Sequence, residues 1–350
     1  MKRILLLCLC GVLLLAGCKP AAQPSQNLTK FTDYSFDYFD TVTTIVGYEE
    51  TKEEFDAACR GIKEQLGDYH KLYTIYNRYE GLQNLCTVNR EGMNAPVAVD
   101  RRLIDLLLYA KEMYTDTRGH MNVAMGSVLS IWHRYREEGM DDPRIAALPP
   151  MADLQAAATH TDIENMVLDT ENNTVFLADP DLRLDVGAIA KGYAVEQVAQ
   201  WMEKQGMTGY ILNVGGNVRI VGPQPEGKKW TVGIENPNTA DAENPYIAYL
   251  ELDSLSLVTS GSYQRFYVVD GKSYHHIIDS ETLMPGENFL SVSVLCADAG
   301  KADAFSTALF TMPYEEGAAL VAATEGMEAL WVLPNGEIRY SAGFQDYCRE

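Results

Sequence analysis

The chain has no CxxC pair, no GxGxxG or GxxxxGK[ST] run, no internal repeat and no low-complexity tract after residue 30. Without paired cysteines a zinc ribbon or a dithiol redox centre is not indicated. Without either glycine motif, neither is a dinucleotide Rossmann unit or a P-loop. Basic residues are scarce: 28 Lys and Arg stand against 49 Asp and Glu, a formal net charge of -21. This argues against nucleic acid as a partner and against an electrostatic grip on anionic lipid, both of which require clustered cations. What the chain does have is length and apolar content, 350 residues at 47% hydrophobic, enough for one large domain or two intimately joined ones.

The first eighteen residues read MKRILLLCLCGVLLLAGC. Lys2 and Arg3 supply a positive start, and the apolar run Ile4 to Leu15 is too short to span a bilayer before the small residues end at Cys18. This resembles a bacterial lipoprotein signal, which makes Cys18 the lipidated mature N-terminus and puts the body on the extracytoplasmic face of the cell membrane, attached through lipid. The following segment, KPAAQPSQNLTK (19–30), reads as a flexible polar tether, with the folded domain from Phe31 to Glu350. Cys59, Cys86, Cys296 and Cys348 remain, and buried thiols are expected.

Along the body, Tyr34 to Tyr48 is aromatic and β-branched and reads as a strand. Thr51-x-x-Glu54 is a capping box opening a helix that buries Phe55, Ile62, Leu66 and Tyr69. Tyr73 to Asn89 is irregular. Asp100 caps a helix that Gly119 stops, Gly126 to Arg136 reads as another, and Pro143 to Pro150 as a loop. From Ile163 strands dominate, with hairpin turns at Asn172-Asn173, Asp270-Gly271 and Asn335-Gly336. Helices are expected at Ala302–Met312 and Glu315–Thr324. Helices cluster first and antiparallel strand pairs second, an α+β arrangement.

Three stretches carry chemistry. From Leu184 to Gly222, LDVGAIAKGYAVEQVAQWMEKQGMTGYILNVGGNVRIVG, an acid, a small-residue turn, a helix and a second glycine turn follow closely. Gly187, Ala188 and Gly192 leave room for a ligand near the backbone, and a helix opening there aims N–H groups and a dipole end at an anion, with Lys191 adding a full charge. Val195, Val198, Ala199 and Met202 form its buried stripe, and Gly206 its cap. In ADAFST, Asp303 and Thr307 are i and i+4 on one helix face, a carboxylate and a hydroxyl suited to magnesium or calcium. Tyr274-His275-His276-Ile277 places two adjacent histidines on opposite faces of a strand. One of them can serve as a base, and spacing does not say which.

As an ordered set over residues 184 to 310, LDVGAIAKGYA, ILNVGGN, TSGSYQRF, HHIIDSETLMP and ADAFSTALF resemble the ApbE family of flavin transferases. The resemblance implies a T-fold-like α+β body of antiparallel sheets and packed helices, with the FAD and metal site in a cleft between subdomains. It implies an FAD:protein FMN transferase that cleaves FAD with Mg2+ and places FMN on a threonine of an acceptor protein, the FMN-binding domain of a membrane redox complex, releasing AMP. Carried over by position, it implies flavin and adenosine contacts at Phe39, Tyr76, His120, Met121, Asn122, Asp185, Lys191 and Ile277. It further implies metal ligands at Asp303, Thr307 and the Ala188 carbonyl, with His276 as base and Asp303 as a catalytic group. A Mg2+-dependent FAD pyrophosphatase and a non-catalytic FAD-binding lipoprotein are the alternatives. Departures occur at Asp279-Ser280-Glu281-Thr282-Leu283, where the family has Asp-Pro-x-Thr-Gly. Others fall at Asn122-Val123-Ala124, where it has Asp-Pro-Thr, and at Ser262 and Gln264, where it has Asp and Glu.

Overall fold

The computed structural model describes residues 27–263 and 265–349. Lys2, Arg3 and Cys18, on which the signal and lipidation readings rest, lie outside the described residues, as does Gln264. The frame is an eight-stranded sheet whose spatial order is its chain order: Thr29–Tyr38, Thr41–Glu49, Tyr210–Val214, Asn217–Val221, Ser256–Gly261, Ser291–Cys296, Glu328–Val332 and Ile338–Tyr340. Every neighbouring pair is antiparallel. The helices are α1 (Lys52–Tyr73), α2 (Leu85–Glu91), α3 (Arg101–Asp116), α4 (Gly126–Asp141), α5 (Met151–Ala158), α6 (Ala190–Lys204), α7 (Ala299–Thr311) and α8 (Tyr314–Ala323). Six of these enter as one excursion between the second and third strands of the sheet. Among the described residues no helix is long and apolar enough to cross a membrane.

The strands alternate apolar residues on both faces, so the sheet is covered twice. Val221, Val258, Val292, Val294, Ala329 and Trp331 join Phe55 and Ile62 of α1, Val195 and Val198 of α6 and Phe305 of α7 in the largest cluster. The intervening Val218, Ile220, Leu257, Leu295, Leu330 and Val332 pack instead on the hairpin Trp230–Glu235/Tyr246–Leu252 and on Phe344. A third cluster joins α4 and α5 to the hairpin Phe266–Val269/Lys272–His275 through Val128, Trp132, Leu154, Tyr267 and Leu283.

Most elements match the sequence pattern. The Thr51–Glu54 capping box, the Asp100 cap and the buried stripes of α1 and α6 are present. The hairpin turns have left-handed backbone at Asn173, at Asp270-Gly271 and at Gly336. Four differences have physical reasons. The expected single strand Tyr34 to Tyr48 is a hairpin, because Phe39 and Asp40 both take φ near +50°, outside the usual Asn-Gly turn chemistry. The first strand begins at Thr29, where Thr29 pairs with Glu49 and Lys30 with Tyr48, so two residues of the expected tether belong to the sheet. α2 lies in the stretch read as irregular, capped by Asn84. α7 begins at Ala299, capped by Asp298.

Candidate active site

A cleft of about 770 Å3 opens where the three apolar clusters meet. All twelve residues expected at a site line it: Phe39, Tyr76, His120, Met121, Asn122, Asp185, Ala188, Lys191, His276, Ile277, Asp303 and Thr307. They arrive from seven segments spread between the Phe39 turn and α7, so the fold, not local sequence, assembles them.

The floor is built by α6 and α7. Asp303 is 3% exposed, and its Oδ2 accepts the Gly192 N–H of the first turn of α6 at 2.8 Å. Gly192 was expected to leave room for a ligand; it leaves room for α7, since a Cβ there would run into the Ala299 carbonyl oxygen and the Asp303 Cβ. One N–H of the helix N-terminus is therefore aimed at a protein carboxylate and not at an open anion site. Burial pushes the Asp303 carboxyl above its usual range, and Lys191 and the Gly192 N–H only partly oppose this. One turn on, Thr307 Oγ1 lies 3.5 Å from Ser260 Oγ, which pairs at 2.8 Å with Ser306. A buried carboxylate short of countercharge, a hydroxyl and the Ala188 carbonyl make a set of hard oxygen donors that fits a small divalent cation.

The two histidines are separated by their partners. His275 is 9% exposed, with Nε2 2.8 Å from the Gly286 carbonyl and Nδ1 accepting the Ile277 N–H at 3.2 Å, so both nitrogens are spent on the backbone. His276 faces the cleft. Its backbone N–H donates to the Arg265 carbonyl at 3.1 Å and its Nδ1 lies 3.3 Å from the same oxygen, which leaves Nε2 for a ligand. Solvent reaches the ring from the cleft, but the walls crowd it. That desolvation, followed by the nearby Arg265 and Lys191 cations, pushes its pKa down to about 3.

On the opposite wall, Asp185 accepts the Gly187 N–H at 2.8 Å and lies 3.8 Å from His133, whose other nitrogen is 3.3 Å from the Tyr76 hydroxyl. Burial, then the Asp185 charge, pushes Tyr76 up to about 12, so it stays a donor. Asn122 bonds the Thr161 carbonyl and the Ala124 N–H, closing its own turn where the family has proline. Leu283 adopts φ of 60° where the family has glycine. The turn holds because Leu283 is buried against the third cluster and its carbonyl accepts Trp132 Nε1 at 3.0 Å. Ser262 Oγ donates to the Leu290 carbonyl.

His133 and Arg136 were not singled out from the sequence. Their signal was present, because Leu129, His133 and Arg136 share one face of α4 at i, i+4 and i+7. Arg265, quoted only as part of a motif, also lines the cleft and donates to the Asp40 carbonyl at 3.2 Å. Lys191, Arg136 and Arg265 thus bring three cations, none with an ion-pair partner among the described residues, into the cleft of an acidic chain.

The ApbE family model matches residues 39–331, a span that contains every lining residue named above. The chain belongs to the ApbE family. Curated relatives match most of the chain. A Klebsiella pneumoniae (strain 342) protein named FAD:protein FMN transferase is 32% identical over 288 residues, covering 82% of this chain and 85% of its own. One of the same name from Treponema pallidum (strain Nichols) is 33% identical over 279 residues, covering 76% and 75%. Among solved structures, the ApbE protein of Thermotoga maritima superposes with a TM-score of 0.80 at 28% identity, covering 92% of this chain and all of the other. The α+β architecture of antiparallel sheet and packed helices is the ApbE fold.

Proposed function

We propose that this chain is an FAD:protein FMN transferase. The observation that carries the reading is the convergence of Asp303, Thr307 and the Ala188 carbonyl with Lys191 and His276 in one cleft. In the reaction, a threonine hydroxyl of an acceptor protein attacks the FMN-side phosphorus of FAD. A new P–O bond to threonine forms, the pyrophosphate P–O bond breaks, and AMP leaves with the bond's electron pair. Asp303, Thr307 and Ala188 would hold Mg2+, which when bound supplies charge neutralisation on the phosphate oxygens. Lys191, Arg265 and Arg136 supply fixed positive charge for the pyrophosphate and the departing AMP.

His276 Nε2 takes the hydroxyl proton as the new bond forms. In the open cleft its pKa is too low for an effective base. Burial is the largest cause of that depression, and an anionic pyrophosphate beside Lys191 and Arg265 would offset the cationic part that follows it. Tyr76, with Asp185 and His133 behind it, offers a hydroxyl donor and an aromatic face to the flavin side, and Phe39 stands at the rim.

Attachment of the chain to the extracytoplasmic face of the membrane through Cys18, and an FMN-binding domain of a membrane redox complex as acceptor, complete the proposal. The test is mass spectrometry of such an acceptor domain incubated with the protein from Lys30 onward, FAD and Mg2+, beside Asp303→Ala. An added FMN mass on threonine, absent with the variant, supports transfer. Free FMN and AMP with unmodified acceptor would make it a hydrolase, and bound FAD never consumed would make it a carrier.

A further inference from the structure

Glu196 and Arg219 form an ion pair that takes no part in lining the cleft. They are 5% and 6% exposed, with Nε 3.0 Å from Oε2, and the guanidinium also reaches Glu203 at 3.1 Å. Such a buried pair is weak evidence for stability, because desolvation offsets much of the attraction. Its position suggests a different use. The same Glu196 Oε2 accepts the backbone N–H of Ala299, the first residue of α7, at 3.0 Å, and Gln200 donates to Oε1 at 3.2 Å.

In the other direction, Asp303 of α7 accepts the Gly192 N–H of the first turn of α6. Helix α6 has Ile189 at its N-cap and no side-chain cap of its own. Each helix therefore takes a carboxylate from the other onto an N–H of its first turn, and each bond constrains the other by closing a ring between the two helices. The close approach at Gly192 leaves little slack in that ring.

We propose that Glu196, with its charge held by Arg219, is a positioning residue. It sets the register of α7 against α6, and thereby the placement of Asp303 and Thr307 relative to the Ala188 carbonyl and Lys191. The proposal rests on the reading of Asp303, Thr307 and Ala188 as divalent-cation ligands. Direct partners of ligating groups typically change metal affinity by about 10- to 100-fold when removed, and Glu196 acts one bond further out, through the Ala299 N–H of the helix that carries Asp303 and Thr307.

The test is Mn2+ binding to the purified protein, followed by the electron paramagnetic resonance of free Mn2+, with thermal unfolding measured in parallel. The double variant Glu196→Leu/Arg219→Met removes both charges and the Ala299 acceptor. Glu196→Gln/Arg219→Met removes the charges but keeps an oxygen for Ala299. The leucine pair is expected to unfold near the wild-type temperature yet bind Mn2+ about 10- to 100-fold more weakly. The glutamine pair should recover most of the affinity.

Ala299→Pro guards against a leucine pair that does not fold. It deletes the N–H at the first helical position, where proline is tolerated, and should weaken Mn2+ in the same way. Wild-type affinity in the leucine pair or in Ala299→Pro, or a glutamine pair no better than the leucine pair, would overturn the proposal. Asp303→Ala separates this from failure of the underlying reading: if it binds Mn2+ like the wild type, the ligand assignment falls and the positioning role with it.

Discussion

Two places among the described residues gather donor atoms that a divalent cation could use, and they differ in what already neutralises them. At the surface, His160 lies 2.8 Å from Asp179 and 3.8 Å from Asp181, with one ligand atom of each within 4.8 Å of the others. The His160 hydrogen bond holds Asp179 below the usual carboxylate range, Asp181 is exposed, and none of the three lines the cleft. In the cleft, Asp303 is buried, its pKa is driven up by that burial, and among the described residues Lys191 is the cation that opposes the shift. Proximity of donors is therefore a poor guide. The surface trio is paired through its own imidazole and open to solvent, whereas the buried site carries a charge deficit that a bound cation would relieve.

The sharpest way to break this comparison is Asp303→Ala. Loss of a metal-held charge worth several kcal/mol should lower the rate of FMN transfer by about 10^3-fold or more, read from the mass-spectrometric time course. Loss of Mg2+ dependence on mutating Asp179 or Asp181 instead would reverse the assignment. Next in size, Gly192→Ala forces a methyl into the α6–α7 contact and should cost about 1–3 kcal/mol in denaturant unfolding, with weakened metal binding alongside. A destabilised variant with intact metal affinity would show that the helix contact and the site are independent.

A smaller effect is expected from pH. His70, His133, His275 and His276 are all held below the ordinary histidine pKa of 6.5, chiefly by burial. Below that value the unfolded chain binds protons that the folded chain refuses, so stability present above pH 6.5 is lost as pH falls, for His276 over the window down to about 3. Thermal unfolding of His276→Phe should decline less steeply on acidification than the wild type, and an unchanged slope would contradict the depressed pKa. The smallest effect belongs to the surface trio. Asp179→Asn should cost at most about 1 kcal/mol in unfolding and leave the metal dependence of transfer unaltered.

The neighbouring histidines show how far local reasoning reaches. Alternation along a strand says that His275 and His276 face opposite ways, and nothing in their spacing says which faces a ligand. The choice follows from the Gly286 carbonyl and the Ile277 N–H, which consume both nitrogens of His275, and Gly286 is placed by a turn whose left-handed residue is Leu283. The Asp303–Thr307 pair was legible because helical periodicity is local. Its use of one carboxylate oxygen to cap α6 was not, since the partner N–H lies 111 residues away in the chain.

What the sequence determined by itself is therefore what short-range rules govern. These are the α+β class, the Thr51 and Asp100 helix caps, the three glycine or asparagine hairpin turns, and the ordered motifs that mark the ApbE family. The tertiary structure alone decided the Phe39-Asp40 turn at the cleft rim and the entry of His133 and Arg136. It also decided the true role of Gly192 and the mutual capping of α6 and α7. Those features depend on the energy of groups brought together by a sheet meander whose second and third strands are separated by six helices. No window of sequence contains both sides of such a contact, so their register and burial exist only once the sheet has closed.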